Sequence, residues 1–125
     1  MGYTLIYSQV TEYIPYLLAG AWISLKIVVL AFSGGMFLGL VLASIRTFGN
    51  FILRKTVIFY VTFFTNTPQL VQIYFLFFAL PEIGILLSPF VAVLIGMTLN
   101  ASAYMCEIQR AGFLSIRQSE LDAAK

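Results

Sequence analysis

The sequence has no histidine, one cysteine and few charged residues. Without histidine, the chain has no histidine proton relay and no histidine ligand for a metal. The single cysteine, Cys106, cannot form a disulfide within the chain. Charged residues make up 10% of the sequence, and a net charge of +2 is too small to indicate nucleic-acid binding. Because groups for acid–base or metal chemistry are so scarce, we expect neither a catalytic activity nor a bound cofactor in this chain.

Long uncharged segments are the main positive feature of the sequence. Hydrophobic residues make up 61% of the chain, more than a soluble core could cover. Asp, Glu, Lys and Arg are all absent between Lys26 and Arg46, between Lys55 and Glu82, and between Glu82 and Glu107. Each gap is on the order of 20 residues, which is the length that a helix needs to cross a bilayer. The sequence therefore predicts an all-α polytopic transmembrane helical protein with three spans, at about residues 17–43, 56–80 and 88–106.

The basic residues predict the orientation of these spans. Basic side chains occur between the first two spans and after the third, at Arg46, Arg54, Lys55, Arg110, Arg117 and Lys125. The turn between the second and third spans holds Glu82 but neither Lys nor Arg. Because successive spans alternate sides, both basic segments fall on one side, which the positive-inside rule makes the cytoplasm. We expect residues 44–55 and 107–125 to be cytoplasmic and the N-terminus to lie outside.

Two spans contain signals of their own packing. Gly35, Gly39 and Ala43 recur at four-residue spacing, so one face of the first helix permits the close approach of another helix. Pro68 interrupts the second span, because proline lacks an N–H and clashes with the carbonyl four residues earlier. We therefore expect a close helix contact along the first span and a kink or break in the second.

Amide side chains near Pro68 and in the third span are the candidates for a substrate path. Asn66, Gln69 and Gln72 follow at three-residue spacing and share a face if the segment is helical, and Asn100 lies in the third span. An amide in hydrocarbon is costly unless it meets a partner or water. These groups therefore either line a path for a hydrophilic solute or join helices around the proline, and periodicity alone favours the second interpretation. The path candidates are Gln69, Gln72 and Asn100.

The inner end of the third span holds a pair of opposite charges. Glu107 and Arg110 are three residues apart on the predicted helix, close enough to interact. Asn100, Tyr104 and Glu107 share one face of that helix, which should point into a bundle or cavity. We interpret Glu107 and Arg110 as a structural pair rather than a proton relay.

Five runs of residues, in order along almost the whole chain, resemble one family. They are Gly20-Ala-Trp-Ile-Ser-Leu-Lys26, Phe64-Thr-Asn-Thr-Pro-Gln-Leu-Val-Gln72, Leu80-Pro81, Ala103-Tyr-Met-Cys-Glu-Ile-Gln-Arg-Ala-Gly112 and Ser115-Ile-Arg-Gln-Ser-Glu-Leu-Asp-Ala-Ala124. Together they make the chain similar to the permease subunits of ATP-binding-cassette (ABC) importers for polar amino acids, the histidine, glutamate, glutamine, arginine and opine group.

The resemblance implies a type I ABC importer permease core in the bacterial inner membrane, with residues 1–125 as its N-terminal part, incomplete at the C-terminus. Such a subunit forms the translocation path and couples to a separate ABC ATPase. The implied partners are that ATPase, a second identical or homologous permease subunit, a periplasmic or extracellular amino-acid-binding protein, and the lipid bilayer, but no nucleic acid.

The resemblance also assigns a role to the last residues of the sequence. Residues 115–125 match the start of the cytoplasmic coupling segment that docks on the ATPase. The coupling residues implied are Glu120, Asp122, Ala123 and Ala124, with Asp122 standing where the family pattern has Glu. The residues leave a second function open, that of a truncated membrane remnant or anchor protein that binds helices but transports nothing.

Overall fold

The computed structural model describes residues 7–123, with side chains from residue 11 to residue 115. These residues form four α-helices: α1 (Tyr7–Phe48), α2 (Phe51–Asn66), α3 (Gln69–Tyr74) and α4 (Pro89–Ala123). Helix α3 continues through a π-helical turn at Phe75–Ala79 and a 3₁₀ turn at Leu80–Ile83. The described residues contain no strand, and the all-α prediction is confirmed.

The chain runs along the helical bundle three times. Helices α1 and α4 are parallel, because Gly34 approaches Thr98, and Gly39, further along α1, approaches Met105. The segment from α2 to the 3₁₀ turn runs in the opposite direction, since Tyr60 contacts Leu99 and Ser102 while the later Ile73 lies against Gly96. This alternation is the arrangement expected of three successive spans.

Two helices are individually long and apolar enough to cross a membrane, at Thr11–Phe48 and Pro89–Ser115. The middle pass is divided into α2 and the shorter apolar helix Gln69–Ile83. The break predicted at Pro68 is therefore confirmed, and it separates two helices rather than bending one.

The connection between the first two passes is shorter than the sequence predicts. We expected a linker at residues 44–55, but α1 continues to Phe48 and α2 begins at Phe51. Only Gly49 and Asn50 lie between them, and the Asn50 side chain accepts a hydrogen bond from the Leu53 N–H at 2.9 Å. This N-cap starts α2 immediately, and the basic residues Arg46 and Arg54 consequently lie on helices. Helix α1 likewise extends further back than residue 17 and contains Pro15 in its interior.

The predicted close contact along α1 is confirmed by its glycines. A Cβ added at Gly39 would lie 2.6 Å from the Met105 Cβ, and one at Gly35 would lie 2.7 Å from the Ala101 Cβ. Ala43, one turn further on, is fully buried. Small residues thus let the α1 and α4 backbones approach closely, as membrane helices commonly do.

The interior of the bundle contains small side chains, and the large apolar ones face outward. Fully or almost fully buried residues join the three passes, namely Ala43, Val57, Val61, Ala103 and Cys106. Phe37 is 72% exposed and Phe59 is 74% exposed, while nearly all of α1 from residue 11 to residue 30 is exposed. Such an outward distribution of large apolar groups suits lipid rather than water as the surrounding solvent.

Candidate functional site

The break at Pro68 leaves a backbone carbonyl without its usual helical partner. In a continuous helix the N–H of residue 68 would donate to the Phe64 carbonyl, but proline has no N–H. Thr67 adopts an extended conformation (φ −101°, ψ 131°), which is the conformation favoured before proline. The Phe64 oxygen therefore needs a donor from elsewhere in the protein, because an unpaired carbonyl away from water is unfavourable.

Two of the predicted path residues supply that donor. Gln72 Nε2 lies 3.1 Å from the Phe64 oxygen, and Asn100 Nδ2 lies 3.0 Å from the same atom. Gln72 Nε2 also donates to the Thr67 oxygen at 2.9 Å, and the two amides contact each other at 3.4 Å. Both side chains are buried, at 6% exposure for Gln72 and 9% for Asn100. They connect α2, α3 and α4 around the break. This arrangement agrees with the interpretation that periodicity favoured, in which the amides join helices around the proline.

Gln69 lies in a different environment. It borders a groove of about 190 Å³ between α1, α3 and α4, whose other lining residues are Val28, Ala31, Phe32, Met97, Asn100 and Ala101. No hydrogen bond of the Gln69 side chain is found among the described residues, and the side chain is partly exposed. Of the three path candidates, Gln69 therefore retains an amide available to a solute.

Asn66 does not share a face with Gln69 and Gln72, because it ends α2 on the other side of the break. Its Nδ2 donates to the Thr62 oxygen within the same helix at 2.7 Å. The three-residue spacing would place the three amides on one face of a continuous helix, but Pro68 divides the segment into two helices. Tyr104 lies near the break instead, with its hydroxyl 3.4 Å from the Thr65 oxygen.

The charged pair lies at the far end of the same α4 face. Arg110 Nη2 is 3.5 Å from Oε2 of Glu107, which lies one turn earlier on the same helix. Arg46 from α1 donates to Glu107 Oε1, an ion pair between helices that the sequence did not indicate. We expected Arg46 in a loop, and the extension of α1 through Phe48 is what brings its guanidinium to α4.

Tyr60 and Ser102 are also polar residues that sequence reasoning missed. The Tyr60 hydroxyl donates to the Leu99 carbonyl at 3.0 Å and lies 2.8 Å from Ser102 Oγ, joining α2 to α4. An aromatic ring and a lone serine in hydrophobic runs carry no periodic signal that distinguishes them from lipid-facing residues. The predicted coupling residues are not tested, because the side chains of Glu120, Asp122 and Ala123 and the whole of Ala124 lie outside the described residues.

The sequence and the fold of this chain match known proteins. The model of the binding-protein-dependent transport system inner membrane component family matches residues 35–125. This chain belongs to that family. The matched region includes the broken pass and all of α4, and therefore contains the amide cluster at Pro68.

Relatives of this chain are named as permease proteins of transport systems. The chain is 34% identical over 119 residues to the glutamine transport system permease protein GlnP of Escherichia coli strain K12, covering 94% of this chain and 54% of that protein. It is 37% identical over 121 residues to the arginine transport system permease protein ArtQ of Bacillus subtilis strain 168, with the same coverage of 94% and 54%. The chain thus spans about half the length of these relatives.

A solved structure shows the same fold. The crystal structure of an amino acid ABC transporter with histidines superposes with a TM-score of 0.90 at 27% identity, over 97% of this chain and 56% of that one. The arrangement of the three passes therefore also occurs in a chain of an amino acid ABC transporter.

Proposed function

We propose that this chain forms the N-terminal part of a permease subunit in an ATP-driven importer of polar amino acids. The observation that carries the proposal is the fold match at a TM-score of 0.90 to an amino acid ABC transporter. Relatives named for glutamine and arginine transport support a polar amino acid as the solute. The alternative of a remnant or anchor that transports nothing has no observation in its favour.

The proposed mechanism is alternating access. A binding protein outside the cell delivers the amino acid, and ATP hydrolysis on a separate ABC ATPase reorients this subunit against a second permease subunit, identical or homologous. The permease then supplies a path and a moving element, and no catalytic group. A pass built from two helices suits this task, because the junction at Pro68 can change its angle without the loss of a continuous helix.

Within this mechanism we assign solute contact to Gln69. Its amide offers both a donor and an acceptor to the zwitterionic end or the side chain of a polar amino acid. Gln72 and Asn100 instead hold the junction, since their Nε2 and Nδ2 atoms already donate to backbone carbonyls. The side of the bundle that holds Arg46 and Arg110 is assigned to the cytoplasm, where Glu120, Asp122, Ala123 and Ala124 would contact the ATPase.

The test is uptake by the assembled transporter in proteoliposomes. The permease containing this chain, its ATPase and its binding protein should accumulate labelled glutamine or arginine with ATP but not with a non-hydrolysable analogue. Gln69→Leu should lower the uptake rate about tenfold or more, through loss of one hydrogen bond to the solute. It should leave assembly and basal ATPase activity unchanged. If the intact assembly showed no ATP-dependent uptake of any polar amino acid, the proposed function would be refuted. Full uptake by Gln69→Leu would refute only the role of Gln69.

A further inference from the structure

Three arginines from three helices line one cleft at the predicted cytoplasmic end of the bundle. Arg46 comes from the last turn of α1, Arg54 from the first turn of α2, and Arg110 from α4. The cleft has a volume of about 360 Å³, and Thr47, Ile58 and Leu114 complete its lining. Only the short connection between α1 and α2 makes this convergence possible, because it turns the chain within two residues.

The positive charge of the cleft is not balanced by the described residues. Glu107 is the one carboxylate that pairs with these arginines, and it contacts both Arg46 and Arg110. Arg54 has no ion pair within the described part of the chain, where one carboxylate, that of Glu107, pairs with the other two of the three guanidinium groups. Arg110 Nε is buried and has no hydrogen-bond partner there either. Among the residues that the structure describes, three guanidinium groups against one carboxylate leave two positive charges available to an anion.

The surroundings of the cleft indicate an amphiphilic anion. Large apolar side chains flank the arginines and face outward, with Phe48 79%, Phe51 74% and Ile52 73% exposed. A guanidinium binds a phosphate oxygen pair in a forked geometry, and exposed rings and aliphatic chains beside it suit acyl chains.

We propose that the cleft formed by Arg46, Arg54 and Arg110 binds the headgroup phosphate of an anionic phospholipid. The phosphate lies between the guanidinium groups of α1, α2 and α4, and the acyl chains run along Phe48 and Ile52. A basic pocket between helices at the cytoplasmic end of the spans is the kind of site that retains such lipids. The bound lipid holds the start of α2 against α1 and α4. This proposal does not depend on transport activity.

The test compares Arg54→Gln with Lys55→Gln in the purified full-length protein in detergent at physiological ionic strength. Both variants lose one positive charge, but only Arg54 lines the cleft. Lys55 lies over the Phe51 ring, 5.6 Å from its centre. Binding of short-chain phosphatidylglycerol is measured by native mass spectrometry and by the shift of the thermal midpoint. Short-chain phosphatidylcholine and inorganic phosphate serve as the two comparison ligands.

We expect phosphatidylglycerol to bind the wild type and phosphatidylcholine to bind at least tenfold more weakly. Arg54→Gln should weaken binding of phosphatidylglycerol about fivefold or more, Arg54→Lys should weaken it less, and Lys55→Gln should stay within twofold. Equal losses in Arg54→Gln and Lys55→Gln, or no preference for phosphatidylglycerol, would overturn the proposal. Competition by inorganic phosphate at equal concentration would overturn the assignment to lipid. If Arg54→Gln bound lipid like the wild type but no longer co-purified with the ATPase, the cleft would be a protein-binding surface and the proposal would be overturned.

Discussion

At the scale of single residues, amide side chains with similar sequence signals have different environments. Gln72 and Gln69 are three residues apart on one short helix, yet Gln72 donates to two backbone carbonyls and Gln69 to none among the described residues. The difference follows from the direction each side chain takes at the break, because the Gln72 amide points back toward the Phe64 and Thr67 oxygens. A polar residue in a membrane helix is thus a structural element at one position and a candidate contact for solute at another.

The role of Gln72 is testable by a matched pair of substitutions. Gln72→Leu should lower the free energy of unfolding by about 1–3 kcal/mol, because the Thr67 carbonyl loses its side-chain donor and the Phe64 carbonyl keeps only Asn100. Gln69→Leu makes the same chemical change without removing a described hydrogen bond and should alter stability by less than about 0.5 kcal/mol. Denaturation in detergent, followed by circular dichroism, measures both. Equal stability of the two variants would contradict the capping role of Gln72.

At the scale of helices, the contact between α1 and α4 depends on the absence of side chains. The closest approaches to α4 involve Gly35 and Gly39, where an added Cβ would overlap with Ala101 and Met105. Because the two helices are parallel and long, this glycine face also aligns Arg46 with Glu107 further along. The polar network at the end of the bundle therefore depends on the packing of small residues in its middle.

A single methyl group should be enough to disturb this packing. Gly39→Ala should destabilise the fold by about 1–3 kcal/mol, because the new Cβ meets the Met105 Cβ and the Ser102 and Cys106 backbone, which cannot move easily. Gly20→Ala is the control, since it lies on the same helix with no atom within 4 Å of the added Cβ. It should be neutral or stabilise the helix by about 0.5–1 kcal/mol. Thermal unfolding of both variants is the measurement, and a neutral Gly39→Ala would disprove the close contact.

At the scale of the whole molecule, the middle pass runs opposite to the first and third passes. The two connections between the passes therefore lie at opposite ends of the bundle. Arg46, Arg54 and Arg110 converge at one end of the bundle. The turn with Glu82 and Gly84 lies at the other end, where Gly84 adopts a left-handed conformation (φ 85°) that ends the 3₁₀ turn. The basic residues predict that the end with the arginines lies in the cytoplasm and that the end with Glu82 lies outside.

The orientation can be measured by labelling of introduced cysteines. In a Cys106→Ala background, Lys55→Cys should react with a membrane-impermeant thiol reagent only from the cytoplasmic side. Glu82→Cys should react only from the external side. Cys106 itself is buried, so its replacement by alanine removes background reactivity at little cost in packing volume. Labelling of both positions from the same side would contradict three passes, and labelling from reversed sides would contradict the orientation alone.

Much of the architecture followed from the sequence. The uncharged segments predict the all-helical fold, the proline in the second segment predicts the break, and the four-residue spacing of Gly35, Gly39 and Ala43 predicts the close helix contact. These features act locally or through the solvent, because a helix in lipid must satisfy its own backbone and a proline always removes the same N–H. The motifs along the sequence likewise predict the family, and the family match confirms it.

The partners of the polar side chains were decided only by the tertiary structure. The pairing of Arg46 with Glu107, the contact of Tyr60 with Ser102 and the cluster of three arginines each join residues far apart in the chain. Their geometry depends on how closely α1 and α4 approach and on a turn of only two residues before α2. Periodicity determines which face of a helix a residue occupies, but the neighbour on that face depends on the crossing of whole helices.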